Sequence, residues 1–306
     1  MKNISRREFL KFGLGLAANF ILPVKIFEAQ GGSTPHPIIG VARGKSKRLV
    51  KAAVDVIGGI DKFIKPGDRV LIKPNISFSA NTECGATTSV EVIKQVVELC
   101  LEAGASKIVI IDYPLANAEI CIEKTRVREA IVDPNKVSLL MLNKEHQFWE
   151  IEVPDGKELK TIKIARELQK VDKFINLPTA KSHSATGVSL GIKNLMGLIW
   201  NRNYLHRVDL HRAIAELGLV FKPDLTIVDA TRVLTSGGPG GPGKTVILNT
   251  VIAGPDMVAV DSYTVGISQW YNKSFTGKNV KHIAYAYELG IGEIDTEKMA
   301  IKEVKV

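Results

Sequence analysis

The chain has few cysteines, and their spacing is not that of a metal or disulfide framework. Only Cys84, Cys100 and Cys121 occur in 306 residues, with no C-x-x-C pair. An odd number of widely spaced cysteines argues against a disulfide framework, a zinc ribbon and an iron–sulfur cluster bound by this chain's own thiols. Cys100 falls in an apolar helical stripe and is predicted to be core, so Cys84 is the only candidate for thiol reactivity.

The chain also lacks basic runs and basic–aromatic interleaving. Its net charge is +9. Residues 1–31 hold five basic and two acidic side chains, hence +3, which leaves +6 for the rest. So mild an excess disfavours a nucleic-acid role. It leaves open a pocket for an anionic ligand.

A long apolar run is missing at the N-terminus, where a shorter one follows two arginines. Residues 5–11 fit the twin-arginine motif S-R-R-x-F-L-K, and residues 12–22 form an apolar run about half as long as a membrane-spanning helix requires. We therefore expect the twin-arginine translocase to export the protein to a periplasmic or other extracytoplasmic location. No A-x-A-like site precedes Ala29 because Phe27 is bulky. The leader is either cut near Ala29 or kept as the chain's only membrane contact.

Residues 32–306 are predicted to form a single α/β domain behind a leader at residues 1–31. Alternating strands and helices predict a doubly wound, mostly parallel sheet with helices on both faces. Asp155-Gly156 predicts a small hairpin insertion. Predicted strands cover 69–72, 107–111, 137–142, 174–177, 225–228 and 246–253, and predicted helices cover 88–104 behind a Thr88/Glu91 capping box, 119–131, two segments within 185–220, and 257–270.

Polar side chains stand at the predicted carboxyl ends of these strands, where open α/β sheets bind ligands. The alternative is that polar loops begin at the strand ends of any α/β protein. We expect the groups to converge on one rim. They are Lys73, Asn75, Asp112, Lys181, His183, Asp229 and Asp256.

The stretch from Asn176 to Gly197 is the densest in polar groups. A helix predicted to start near residues 185–188 would offer free N–H groups to an anion. The glycines of this stretch, at 187, 191 and 197, either have a functional role at the site or are small contacts that let helices pack closely. No P-loop motif is present. The anion-binding candidates of the whole chain are Lys73, Asn75, Lys181, Thr186, Lys193, Asn194 and, in the glycine–proline loop 236–244, Gly240.

Catalytic roles are predicted for His183, His206 and Asp229. His206 and Asp209, three residues apart, either share a hydrogen bond that orients the ring or form an ordinary surface pair. Asp256 is predicted to cap a helix.

Asp261 falls in an apolar stretch and needs a partner, for which Lys73, Lys193 or a metal would serve. The alternative is a divalent cation held by Asp112, Asp229 and Asp261, although the spacing of these residues is not that of a known metal motif.

Six segments in this order resemble the domain of unknown function 362 family. They are Leu71-Ile72-Lys73-Pro74-Asn75, the stretch Asn176 to Gly197, His206 with His211, Ile227-Val228-Asp229, Gly238-Pro239-Gly240 and Ala259-Val260-Asp261-Ser262. Members are often fused or linked to a ferredoxin-like module with two four-iron clusters, and this chain has no matching cysteine string. The resemblance implies a redox partner, which would be an external ferredoxin-like or other electron carrier.

These observations predict an exported, redox-associated enzyme that binds an anionic ligand or metal at its strand ends. The same rim equally fits a ligand-binding module or cofactor chaperone without chemistry, or an accessory subunit of a redox complex. The reaction, the substrate and the identity of any cofactor stay open.

Overall fold

A computed structural model describes residues 36–306. The predicted leader lies outside the described residues. Among the helices of residues 36–306, none has both the length and the apolar character that crossing a membrane requires.

The described residues form strands along the whole sequence. They are β1 Ile38–Arg43, β2 Arg69–Pro74, β3 Lys107–Asp112, β4 Val137–Met141, β5 Phe148–Glu152, β6 Thr161–Ala165, β7 Lys173–Leu177, β8 Thr179–His183, β9 Gly187–Ser189, β10 Leu225–Leu234, β11 Thr245–Gly254, β12 Gln269–Trp270, β13 Lys273–Ser274 and β14 Ala300–Lys305.

One large mixed sheet organises the chain, in the order β14-β1-β11-β10-β7-β2-β3-β4. From β10 to β4 every neighbouring pair is parallel, so these strands end at the same edge. β11 runs antiparallel to β10 and to β1, and β14 pairs parallel with β1.

Both faces of this sheet are covered, which confirms the predicted doubly wound α/β class. Along β2, Leu71 packs into one apolar cluster while Val70 and Ile72 pack into the other, as the alternation of side chains in a strand requires. The helices are α1 Leu49–Asp55, α2 Val90–Glu102, α3 Ala118–Thr125, α4 Gly191–Asn194, α5 Leu210–Val220, α6 Met257–Val265 and α7 Lys281–Glu288.

The predicted hairpin insertion is present as β5 and β6, which form a two-stranded antiparallel sheet apart from the large one. The buried Glu216 carboxylate of α5 accepts hydrogen bonds from the amides of Lys157, Glu158 and Leu159, at 2.8–3.3 Å, and so holds the turn. The hairpin is anchored beside the end of β3, where the rings of Phe148, Tyr113 and Trp200 pack with centroids 5.4–5.5 Å apart.

The segment predicted as two helices between 185 and 220 is largely different. β8 and β9 pair antiparallel across a tight turn, with Gly187 at a φ of +78°, and β8 also pairs with β10. Two 3₁₀ helices, Leu195–Leu198 and Arg202–Arg207, separate the one-turn helix α4 from α5. The predicted helix start at 185–188 is therefore wrong, because the residues before Gly187 are committed to a hairpin.

The Thr88 capping box is also wrong. Ser89 is the cap residue of α2 and makes no side-chain cap bond, whereas the Thr88 hydroxyl lies between the Asn75 amide and the Leu177 carbonyl, at 2.9 Å from each. Asp256 does cap α6, as predicted, accepting from the Ala259 amide at 2.9 Å.

Candidate functional site

A small cleft lies at the edge where β2, β3 and the β7–β8 segment end. Its volume is about 100 Å³, well below the roughly 300–1,000 Å³ of pockets for drug-sized ligands. It therefore suits a ligand of a few heavy atoms, or the charged head of a larger one. The lining residues are Asn75, Ser77, Phe78, Leu115, Lys181, His183, Ser189, Lys193, Asn194, Met196, Gly197, Arg202, Asn203, His206 and Pro239.

A buried ion pair supports the floor of this cleft. Lys73, at the end of β2, lies 2.8 Å from the Asp112 carboxylate at the end of β3. Asp112 also accepts from the Ile76 and Tyr113 amides and the Ser77 hydroxyl, at 2.8–2.9 Å. Burial lowers the pKa of Lys73, against the opposing effect of Asp112. This pair is neutral as a whole and fixes the two strand ends relative to each other.

Gly197 passes directly over this ion pair. A Cβ at this position would lie 2.2 Å from Asp112 Oδ1 and 2.5 Å from Lys73 Cε. Close packing against the ion pair therefore explains why this position is a glycine, without a role in ligand binding. Gly191 is similar, because a Cβ there would lie 2.8 Å from Asp261 Oδ1.

Lys181 enters the cleft from β8 and is almost fully buried. Its ammonium lies 2.5 Å from the Ala86 carbonyl, 3.2 Å from Asn75 Oδ1 and 4.2 Å from the centre of the Phe78 ring. No carboxylate pairs with it directly within the described chain. Burial lowers its pKa well below the ordinary value; the charge of Asp112 opposes this shift, and the charges of Lys193 and Lys73 add to it.

Lys193 reaches the cleft from α4, and its side chain is buried. Among the described residues, the acceptor its amine contacts is the Met196 thioether, 3.2 Å away, which is a weak acceptor. Burial, with a smaller contribution from Arg202, lowers the pKa of Lys193 to about 8. The amine thus lacks the strong oxygen partners that Lys73 and Lys181 have.

Arg202 completes the cationic group. It donates to the Tyr113 and Pro114 carbonyls at 2.6 Å each, and its guanidinium lies 4.1 Å from the Tyr113 ring centre. These contacts fix the loop after β3 against the 3₁₀ helix Arg202–Arg207. They use no acidic partner, so the guanidinium keeps its positive field at the cleft.

Two histidines line the same cleft. Burial, helped by Lys193 and Lys181, lowers the pKa of His183 to about 3. Burial and Lys193 also lower the pKa of His206. Their imidazoles are therefore neutral near pH 7, able to accept a proton at one ring nitrogen and donate from the other.

Charge is the main property of the site. Lys181, Lys193 and Arg202 are among the described residues that line the cleft, and this lining contains no Asp or Glu. Asp112 lies behind the wall and is already paired with Lys73. Positive charge on buried lysines without counter-charges is unfavourable, and it is relieved either when the amines lose protons or when an anion binds beside them. The arrangement is suited to binding a carboxylate or phosphate.

Asp261 does not belong to this cleft. Its carboxylate accepts from the Gly191 amide at 2.7 Å and the Ile192 amide at 2.9 Å, at the start of α4. The partners of Asp261 are therefore two backbone amides, whereas Lys73 or Lys193 was expected. Burial raises the pKa of Asp261 to about 7, although both amide bonds oppose the shift.

The predicted three-aspartate cation site is not formed in the described part of the chain. Asp112 is bound to Lys73, Asp261 to the start of α4, and Asp229 to the Ser89 amide at 2.8 Å and the Thr231 hydroxyl at 2.6 Å. No group of three or more His, Cys, Asp or Glu side chains within residues 36–306 is arranged to hold a metal ion. Each carboxylate is occupied by amides, hydroxyls or Lys73, which the spacing could not reveal.

Several other predicted site residues lie outside the cleft lining. Asp229, predicted as catalytic, holds the start of α2. Thr186 donates to the Val188 carbonyl at 2.9 Å within the β8–β9 turn. Gly240 faces Phe78, where a Cβ would lie 2.9 Å from the ring, so it supports the cleft wall. Asp209 caps α5 and accepts from the His211 and Arg212 amides, not from His206.

The sequence reasoning missed Arg202, Phe78 and Met196 in the lining, and it missed His282 nearby. Phe78 lies three residues after Asn75 and could have been found as part of that strand-end loop. His282 is buried in α7, its ring stacks on His211 with centroids 6.2 Å apart, and neither ring nitrogen has a partner within the described residues.

The profile of the domain of unknown function 362 family matches residues 70–266. All cleft-lining residues fall within that match. A thylakoid-associated protein of Synechocystis sp. is 26% identical to the chain over 230 residues, which cover 72% of this chain and 69% of that protein.

Proposed function

The chain belongs to the domain of unknown function 362 family, and we propose that it binds a small anion in the cleft between its strand ends. The bound group is a carboxylate or phosphate, held by Lys181, Lys193 and Arg202. The observation that carries this proposal is that two buried lysines, Lys181 and Lys193, and the partly buried Arg202 line the cleft, while its described lining holds no carboxylate.

The neutral side chains of the lining fit the same role. Asn75 and Asn194 are hydrogen-bonded to each other at 3.3 Å and to the buried lysines, which keeps their amides oriented. Ser77 and Ser189 add hydroxyls at the wall. Such fixed polar groups supply orientation and selectivity, while the cations supply most of the attraction.

We propose that the site is catalytic, with His183 and His206 as proton-transfer groups. Both line the cleft, and both are neutral near pH 7 because their pKa values are lowered. A group that accepts a proton must be neutral first, and it must lie within reach of the ligand. A non-catalytic binding module is the second candidate, because the polar side chains of the lining fit the binding of a ligand equally well without chemistry.

We propose the location and the partners of the protein from its sequence. The twin-arginine motif supports export as a prefolded domain, residues 32–306, to an extracytoplasmic compartment. The relative's name describes it as thylakoid-associated, which is compatible with a protein that works at or across a membrane. Members of this family are often fused or linked to ferredoxin-like modules. This supports redox association with an external electron carrier, or a role as an accessory subunit.

Isothermal titration calorimetry tests the binding proposal. Oxamate and inorganic phosphate are titrated separately into the full chain, its Lys181→Met and Lys193→Met variants, and the control Lys94→Met. The control removes an exposed lysine outside the cleft that forms an ion pair with Glu98. We expect the cleft variants to bind at least tenfold more weakly, since a charge-assisted hydrogen bond contributes about 1.5–3 kcal/mol. Absence of binding by both anions, or equal loss in Lys94→Met, would contradict the proposal.

Substituting His183 and His206 separately distinguishes the enzyme from the binding module. His183→Asn and His206→Asn in an enzyme should lose turnover with anion affinity largely kept. In a binding module they should change affinity alone.

A further inference from the structure

Lys193 differs from the other two buried lysines in what its amine contacts. Lys73 has a carboxylate and two oxygen acceptors, and Lys181 has a carbonyl and an amide oxygen. Lys193 has the Met196 sulfur at 3.2 Å. An ammonium in a buried wall loses its hydration, and a thioether replaces little of it. The neutral amine is therefore the form that this position tolerates best.

The surroundings of Lys193 provide the other elements that amine chemistry needs. Cationic neighbours, as in known lysine-dependent enzymes, and burial both favour the neutral, nucleophilic amine. Lys181 and Arg202 line the same cleft and can hold a carboxylate. His183 and His206 can supply and remove protons there. The lowered pKa of Lys193, about 8, agrees with this environment.

We propose that Lys193 forms an imine with a small 2-oxo carboxylate whose carboxylate group is held by Lys181 and Arg202. This inference rests on the proposed function and names the substrate class of that site. A cleft of about 100 Å³ fits a compound of about three carbons better than a sugar or a nucleotide.

The chemistry requires no oxidant, reductant or further reactant. The lone pair of Lys193 Nζ attacks the carbonyl carbon, and a C–N bond forms while the carbonyl oxygen becomes an alkoxide. A neutral imidazole takes a proton from the nitrogen, and the imidazolium so formed gives a proton to the alkoxide. The hydroxyl is then protonated and leaves as water, a C=N bond replaces the C–O bond, and loss of the second nitrogen proton balances the proton that the hydroxyl gained. In total, one amine and one carbonyl give one imine and one water.

Reductive trapping tests this inference on the full chain. Pyruvate is added at pH 8 with sodium cyanoborohydride, and the modified lysine is identified by peptide mass spectrometry. Lys193 should be modified at a pyruvate concentration at least tenfold below that needed for exposed lysines such as Lys94. Oxamate has the shape of pyruvate and lacks a reactive ketone, so it should protect Lys193 by competition.

Two controls keep the result decisive. Lys193→Met should lose the low-concentration adduct, while Lys94→Met should keep it. The mapping on the unaltered chain stands by itself if Lys193→Met fails to fold.

Oxamate binding without selective modification of Lys193 would overturn the imine and leave the anion site intact. Modification that oxamate does not suppress would likewise overturn it, because the reacting carbonyl would not occupy the cleft. Failure of oxamate and phosphate to bind at all would instead overturn the proposed function.

Discussion

At the scale of single residues, the cleft depends on where each buried charge finds a partner. Lys73 is neutralised by Asp112, whereas Lys181 and Lys193 receive neutral acceptors. This difference separates a structural lysine from two that remain available to a ligand. Residue type and spacing predicted that all three would lie at one rim, and they could not predict which one Asp112 would occupy.

Lys73→Met should destabilise the fold more strongly than a typical core substitution. It leaves the Asp112 carboxylate buried beside amides and a hydroxyl but without its counter-charge, for which we expect a loss of about 3–5 kcal/mol in the free energy of unfolding. Urea denaturation measures it. The double variant Lys73→Met/Asp112→Asn should lose less, because no unpaired charge stays behind. Equal losses in the single and double variants would show that the ion pair is not what matters.

At the scale of elements, the strands of the parallel core were predictable and the edges were not. The predicted strands match β2, β3, β4 and β7, and also the antiparallel β11, to within a few residues, since apolar runs bounded by turns mark buried strands. The start of β10 was also predicted, but the strand continues six residues beyond the predicted end at residue 228. β14 was missed because it is an edge strand with mostly exposed side chains. β8 was missed because its buried residues include Thr179, Lys181 and Ser182, so burial there follows from tertiary partners, not from apolar periodicity.

Helix α4 shows how a tertiary contact replaces a predicted ligand. Its first amides do bind a carboxylate, as free helix N–H groups tend to do. That carboxylate is Asp261, which lies 70 positions later in the chain than Gly191 and therefore left no local pattern. A carboxylate of the chain itself thus occupies the start of α4, and no helix starts at the predicted residues 185–188.

The contact between Asp261 and α4 predicts a pH effect on stability. Its folded pKa, about 7, exceeds the ordinary value of 3.8, so between these pH values the folded chain keeps a proton that the unfolded chain has lost. This contribution to stability is complete below pH 4 and is lost as pH rises to about 7. Urea unfolding of the wild type and of Asp261→Asn from pH 4 to 7.5 measures this effect. We expect the free energy of unfolding of the wild type to fall by a few kcal/mol relative to that of the variant as pH rises. A difference that is constant with pH would contradict this.

At the scale of the whole molecule, the doubly wound class and the position of the rim followed from strand–helix alternation. Parallel strands bring Lys73, Asn75, Lys181 and His183 to one edge although more than 100 residues separate the first from the last. The final membership of the site was not predictable, because Arg202 reaches it from a 3₁₀ helix whose place depends on packing against Tyr113.

Proton uptake on anion binding tests the central claim most directly. An anion beside Lys181 and Lys193 should raise their lowered pKa values, so oxamate binding at pH 8 should draw protons from the buffer. Titration calorimetry in phosphate-free buffers of different ionisation enthalpy counts these protons. We predict net uptake in the full chain and a smaller uptake in Lys193→Met. Binding without proton uptake, or with proton release, would contradict an anion site built on these two buried lysines.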